Sequence, residues 1–142
     1  MSGIVTAQSG RPFTPRLTGN NSGSFAGVDR PNLVGSPELS NPDPNTGWVS
    51  REAFAIPAPL TFGNSGRNIA FSDGLKSVDV TLEKAFNVTE GTRFQFRSEF
   101  FNILNHPNFG LPNSTVNSPQ FGTVGRTSTT SRQIQLSLRF RY

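Results

Sequence analysis

The chain has 142 residues, a formal net charge of +4, no cysteine and a single histidine. The lack of cysteine excludes disulfide scaffolds and thiolate zinc sites, and one histidine cannot supply a multi-histidine metal site. We therefore predict no cofactor and no bound metal. The eleven arginines and two lysines are scattered along the chain instead of clustered, so we expect no nucleic-acid partner.

The first half of the chain contains little regular patterning. No run of about 18 apolar residues occurs, so no transmembrane helix is expected. Residues 1–6 lack the basic and apolar segments of a secretory signal, and none is expected there. A weak pattern predicts a strand over residues 3–8. Residues 9–75 hold eight prolines and nine glycines among many Asn and Ser, which indicates a long loop built from turns.

Three further segments alternate apolar and polar residues with a period of two, which is typical of half-buried strands. They cover residues 76–86, 92–104 and 132–142. A short turn over residues 87–91 separates the first two, and residues 105–131 form a second long loop. We therefore predict a single all-β domain over residues 1–142. It is an antiparallel meander of about four strands with long loops rich in Gly and Pro.

An alternating strand has one apolar and one polar face, and two settings suit it. In a soluble sandwich the apolar face packs into a core, whereas in an outer-membrane barrel it contacts lipid and the polar face lines the lumen. Three features favour the barrel. Strands of about 11 residues can cross a bilayer at a tilt. Long and short connections alternate, as in such barrels, and Tyr142 ends the chain on the apolar face.

Specific motifs surround the second and third strands. They are Gly63-Asn64-Ser65-Gly66-Arg67-Asn68-Ile69, the run Gly74-Leu75-Lys76-Ser77-Val78-Asp79-Val80-Thr81-Leu82-Glu83-Lys84-Ala85-Phe86, and the run Arg93-Phe94-Gln95-Phe96-Arg97-Ser98-Glu99-Phe100-Phe101-Asn102-Ile103-Leu104-Asn105-His106-Pro107-Asn108-Phe109-Gly110. Together they resemble the C-terminal end of TonB-dependent receptors, in particular the group with a carboxypeptidase-regulatory-like N-terminal domain.

The resemblance implies a bacterial outer-membrane protein. Receptors of this family form a barrel of about 22 strands, which is filled by an N-terminal plug and imports large nutrients with energy from an inner-membrane complex. This chain resembles only the last four strands and two external loops. We expect the plug, the energy-coupling box and about eighteen strands to be absent from it, so that transport is not an activity of this polypeptide by itself.

Four strands alone form an open sheet with two edges, which favours association. The expected partners are therefore further copies of the chain, or the remaining barrel strands, together with outer-membrane lipid. Three copies could close one barrel. If the long loop instead folds over the apolar face, we expect the chain to be soluble.

Four side chains are candidates for catalysis. They are Asp79, Glu83, Glu99 and His106. The three carboxylates lie on the polar faces of the two hairpin strands. The histidine belongs to the motif Asn105-His106-Pro107-Asn108, which predicts a structural role where a strand passes into a loop.

The register of the hairpin decides what the carboxylates can do. If Phe86 pairs with Thr92, Asp79 lies opposite Glu99, and two carboxyl groups this close could be the acid and nucleophile of a retaining glycosidase. A register shifted by two residues would place both Asp79 and Glu83 opposite arginines, which is electrostatically preferred.

The leading functional prediction is a segment of a TonB-dependent outer-membrane receptor barrel, with no catalysis of its own. Two alternatives remain open. One is a small glycoside hydrolase that uses Asp79 and Glu99, and the other is a self-assembling extracellular β protein.

Overall fold

A computed structural model describes residues 1–24 and 27–142. The chain, for which the sequence predicts one domain, divides into two compact units, each described by itself. The sheet unit comprises residues 1–8, 75–108 and 129–142, and the loop unit comprises residues 9–74 and 109–128. In the described ranges no helix is long and apolar enough to cross a membrane.

All regular elements of the described residues are strands. In chain order they are β1 (Ser2–Gln8), β2 (Pro12–Phe13), β3 (Asn32–Leu33), β4 (Phe54–Ala55), β5 (Ala70–Phe71), β6 (Leu75–Asn87), β7 (Arg93–Phe101) and β8 (Gln133–Arg141). The sheet unit is one antiparallel sheet with the strand order β1-β6-β7-β8. The predicted all-β meander of four strands is therefore confirmed.

Register places most of the apolar residues of the four strands on one face, whereas Ile4 and Phe101 lie on the other. Val5 pairs with Val78, and Phe96 pairs with both Lys84 and Leu138. Because side chains alternate between the faces of a strand, the intervening polar residues share the other face. Both long connections leave from one end of the sheet, where Gln8 pairs with Leu75. The hairpin of residues 88–92 lies at the opposite end.

The predicted third strand, over residues 92–104, is shorter in the structure at both ends. Thr92 belongs to the turn, because its carbonyl oxygen accepts hydrogen bonds from the backbone amides of Val88 and Thr89. At the other end, β7 stops at Phe101 because Asn102 has a φ of 48°, in the left-handed region that ends an extended strand.

The loop unit has its own small hydrophobic core. Its buried apolar side chains are Phe13, Leu17, Val49, Ala53, Phe54, Ala70, Val116 and Phe121. Two short antiparallel pairs, β2–β5 and β3–β4, contribute to it. The Arg51 guanidinium donates hydrogen bonds to the carbonyl oxygens of Val116, Ser118 and Pro119, at 2.9, 2.6 and 3.1 Å. Backbone polar groups are thus satisfied by side chains where long strands are lacking.

Candidate functional site

The apolar face of the sheet is open to its surroundings. Along β8, the apolar side chains of Ile134, Leu136, Leu138 and Phe140 are 51–67% exposed. A soluble sheet buries this row against a core, because each large apolar side chain gains about 1.5–3 kcal/mol on full burial. The face therefore requires an apolar covering, which water cannot provide.

Aromatic side chains line this face at the hairpin end. Phe86 pairs with Phe94, and Phe94 pairs with Phe140. The ring centroids of Phe94 and Phe140 are 4.9 Å apart, and those of Phe140 and Tyr142 are 6.0 Å apart. A row of aromatic rings at one end of an apolar band is typical of the interfacial girdle of a membrane barrel.

The only two lysines of the chain lie on the apolar face of β6, eight residues apart. Lys76 and Lys84 flank Val78, Val80 and Leu82. At about 3.3 Å per residue they are roughly 26 Å apart along the strand, which at a strand tilt of about 35–45° spans roughly 20 Å of the apolar band of about 25 Å in outer-membrane barrels. Long lysine side chains can extend to the polar interface from such positions. The two lysines therefore lie at the two ends of the apolar stretch of β6.

The polar face carries a charged network. Glu83 lies opposite Arg97. The Arg97 guanidinium forms an ion pair with the carboxylate of Glu99, with Nη2 and Oε1 2.6 Å apart. The Gln95 amide donates to Glu83 Oε1, also at 2.6 Å. Two of the candidate carboxylates thus lie in a hydrogen-bonded ladder across β6 and β7.

The structure corrects both predicted registers of this hairpin. Phe86 pairs with Phe94, not with Thr92, so Glu99 lies opposite Thr81 and not opposite Asp79. The five-residue turn is the physical reason, since Thr92 is held within it and the ladder begins at Arg93. The face-to-face carboxyl pair required by the glycosidase alternative is therefore not formed.

Asp79 instead fixes the end of the neighbouring strand. Its Oδ1 accepts hydrogen bonds from the backbone amide of Asn102 at 2.8 Å and from the Ser77 hydroxyl at 3.2 Å. His106 lies in the loop that follows, where both its backbone amide and its carbonyl bind the Asn102 side chain. The buried Nδ1 of His106 has no hydrogen-bond partner among the described residues. The structure thus brings Asp79 and His106 to the same strand end, through Asn102.

Three asparagines with a spacing of three residues organise this strand end. Asn102 is 5% exposed, and its amide also donates to the carbonyl of Thr130 at 3.3 Å. Asn105 accepts from the backbone amide of Arg132. Asn108 accepts from the amide of Lys76 at 2.7 Å. Sequence reasoning about catalysis missed these residues, although the spacing 102, 105 and 108 was the available signal. Asparagine suits the positions because its side chain both donates and accepts, and because it tolerates the positive φ found at Asn102 and Asn105.

In the loop unit, the buried carboxylate of Asp29 holds a tight turn. The Ser22 backbone amide and hydroxyl donate to its two oxygens, each at 2.8 Å. These bonds, the backbone one first, lower the pKa of Asp29 below its ordinary value of 3.8. A lowered folded-state pKa stabilises the turn above pH 3.8, and this contribution is lost as the pH falls through the lowered pKa.

We expect hydrogen-exchange protection of the Ser22 amide, corrected for intrinsic exchange, to be constant from neutral pH to about pH 4 and to weaken below it. In Asp29→Asn, protection should be weaker at neutral pH and nearly independent of pH. Asp43→Asn is the matched control, because Asp43 accepts backbone bonds of a different turn. Unchanged protection in Asp29→Asn would contradict this role for the carboxylate.

An open antiparallel sheet with one exposed apolar face, an aromatic row and a polar opposite face is typical of the class of outer-membrane β-barrel proteins. Residues 1–135 match the family model described as Outer membrane beta barrel domain, and the chain belongs to that family. No curated protein and no solved structure gives a match. The predicted outer-membrane location is confirmed at this level.

Proposed function

We propose that the chain forms the last four strands and two outer loops of a TonB-dependent receptor barrel. The observation that carries the proposal is that the sheet has both an exposed apolar face and two open edges. Within the described residues, β1 and β8 each pair along one side only. Lipid covers the face in this arrangement, and further strands of the same barrel pair with both edges.

The connections support the same arrangement. The hairpin of residues 88–92 is short and lies at the end where the aromatic row is found. Both long connections leave from the other end of the sheet. Short periplasmic turns and long extracellular loops are the rule in outer-membrane barrels. The hairpin is therefore the periplasmic end in this proposal, and the residues of the loop unit belong to the extracellular loops.

The motif at the strand end supports the receptor assignment. The run from Glu99 to Gly110, which resembles the C-terminal end of these receptors, includes Asn102, Asn105 and Asn108. Each of these asparagines binds backbone groups of the sheet unit. The resemblance thus coincides with residues that have a defined structural task.

The coding sequence upstream of this chain tests the receptor assignment. We expect an in-frame segment that encodes a plug, an energy-coupling box and the remaining strands. A stop codon followed by a separate ribosome-binding site would contradict the proposal.

The edges have a second possible partner, which is another copy of the chain. Three copies could close a barrel by pairing β8 of one copy with β1 of the next, because these strands would run antiparallel. Light scattering in mild detergent distinguishes the two cases. A protein mass equal to one 15.4 kDa chain would contradict the three-copy barrel.

We propose no catalysis by this chain. Glu83 and Glu99 are engaged by Gln95 and Arg97, and Asp79 accepts the Asn102 amide. Turnover of aryl glycosides by the wild-type chain that is lost in Glu99→Gln would contradict the proposal and favour the hydrolase alternative.

A further inference from the structure

The loop unit contains a cavity of about 670 Å³ whose lining includes three arginines. Arg16, Arg30 and Arg67 all line it, and they come from three separate stretches of the chain. The cavity lies entirely within the loop unit. An inference about it is therefore independent of how the sheet is completed and of the receptor proposal.

These three positive charges have no acidic partner in the described part of the chain. The ion pair found there joins Arg97 and Glu99, in the sheet unit. Asp29 also lines the cavity, but both of its carboxylate oxygens accept hydrogen bonds from Ser22. Three arginines and one ionised carboxylate thus line the cavity, and three positive charges less one negative charge leave an excess of two positive charges. Such a concave surface attracts anions more strongly than scattered surface charges do.

The backbone beside the three cavity arginines is held in place. Thr14 and Asn68, which line the cavity, are joined by two hydrogen bonds, and Asn68 has a left-handed φ of 55°. A methyl group at Gly63 would overlap the backbone carbonyl oxygens of Arg30 and Pro31, so the two segments are in close contact there. A binding surface of this kind is organised before its ligand arrives, which lowers the entropic cost of binding.

Two apolar side chains lie beside the charges. Val28 is 60% exposed and Phe62 is 68% exposed, and both line the cavity. Exposed aromatic and aliphatic groups next to convergent polar groups are a common composition of small-molecule sites. The cavity thus offers a cationic part and an apolar part.

We propose that this cavity binds a small organic anion that carries two or more carboxylate or phosphate groups and an apolar portion. Planar guanidinium groups bind both kinds of oxyanion through paired hydrogen bonds. Arg16, Arg30 and Arg67 hold the charged groups, while Val28 and Phe62 contact the apolar portion.

Calorimetry on the full chain in detergent micelles tests the site with three probes. Benzene-1,3,5-tricarboxylate supplies carboxylates on an apolar ring, pyrophosphate supplies phosphates alone, and the neutral benzene-1,3,5-tricarboxamide keeps the ring and the shape of the first. We expect the tricarboxylate to bind at least about tenfold more tightly than the tricarboxamide. Equal affinities, or no detectable tricarboxylate binding, would overturn the proposal. The pyrophosphate titration shows whether phosphate groups are accepted as well, and tighter binding than that of the tricarboxylate would overturn the apolar part of the proposal.

Arg30→Gln and Arg67→Gln should each weaken tricarboxylate binding about tenfold or more, because each removes charged hydrogen bonds. Arg11→Gln is the matched control. It makes the same charge change in the loop unit, and Arg11 does not line this cavity. An equal loss in Arg11→Gln would show that net charge alone attracts the probe. Phe62→Ala should weaken binding of the tricarboxylate and leave binding of pyrophosphate unchanged. Equal effects on the two affinities would contradict the apolar contact.

A measurement on the unsubstituted chain covers the case in which a variant fails to fold. Phenylglyoxal modifies exposed arginines, and mass spectrometry locates the modified residues. Saturating tricarboxylate should slow modification of Arg16, Arg30 and Arg67 at least about threefold and leave Arg11 unaffected. Equal modification of the cavity arginines with and without the probe would overturn the assignment.

Discussion

Leu136→Arg is expected to remove most of the correctly assembled protein from the outer membrane. Leu136 lies within the apolar row of β8, is 65% exposed and pairs with the small residue Ser98. The substitution therefore removes little packing within the chain. An arginine that faces lipid near the bilayer midplane costs about 2–4 kcal/mol, whereas an exposed substitution on a soluble protein usually changes stability by about 0.5 kcal/mol or less.

The assay is the amount of protein in purified outer membranes that resists urea extraction and external protease. Urea titration of protein folded into lipid vesicles then gives the change in the free energy of unfolding. Gln135→Arg is the matched control, because it adds the same charge one residue away, on the polar face opposite Glu99. We expect wild-type levels for this variant. Equal behaviour of the two variants would mean that the apolar face does not contact lipid.

Asn102→Ala is expected to lower the free energy of unfolding by about 2–4 kcal/mol, because buried partners left without a hydrogen bond cost about 1–3 kcal/mol. The buried side chain of Asn102 forms hydrogen bonds with the backbone of His106 and Thr130. The backbone amide of Asn102 donates to the Asp79 carboxylate. The left-handed φ of 48° adds to the loss, since alanine adopts this conformation less readily than asparagine.

Urea titration of the folded protein measures this loss, and hydrogen exchange at the His106 amide reports the strand end directly. Asn102→Gly separates the two contributions, because glycine accepts the positive φ but cannot form the side-chain bonds. It should be intermediate between wild type and Asn102→Ala. Asn87→Ala replaces an exposed asparagine at the other end of β6 and should change stability by about 0.5 kcal/mol or less. If Asn102→Ala behaves like Asn87→Ala, the strand-end network does not stabilise the fold.

The network around Asn102 also shows where sequence reasoning about this site is incomplete. The sequence indicates Asp79, Glu83, Glu99 and His106 as candidates for catalysis because their side chains can transfer protons. The structure places Asp79 and His106 around Asn102, whose importance comes from backbone groups that it bonds. Those partners are up to 28 residues away in sequence, so no local pattern could reveal them.

The cavity arginines are a comparable case. Arg16, Arg30 and Arg67 are separated by irregular chain with no periodic pattern, and in the sequence they are three scattered charges. Turns, close backbone contacts at Gly63 and the bonds between Thr14 and Asn68 bring them to one cavity. Their convergence depends on the packing of the loop unit, which composition alone does not specify.

The sequence by itself determined the four strands and their two faces. Alternation with a period of two is a local property, because successive side chains of a strand point to opposite sides whatever the strand pairs with. The residues that resemble receptor barrels likewise indicated an outer-membrane barrel, which the family match confirms.

Tertiary structure decided which residues meet across the strands and within the loops. A shift of the hairpin by two residues leaves both faces unchanged but replaces every cross-strand partner. Because Thr92 lies within the turn, Phe86 pairs with Phe94, and this register determines the partners of Glu83 and Glu99. Register and loop packing depend on contacts between residues distant in sequence, and for that reason the charged ladder and the arginine cavity emerged only from the folded chain.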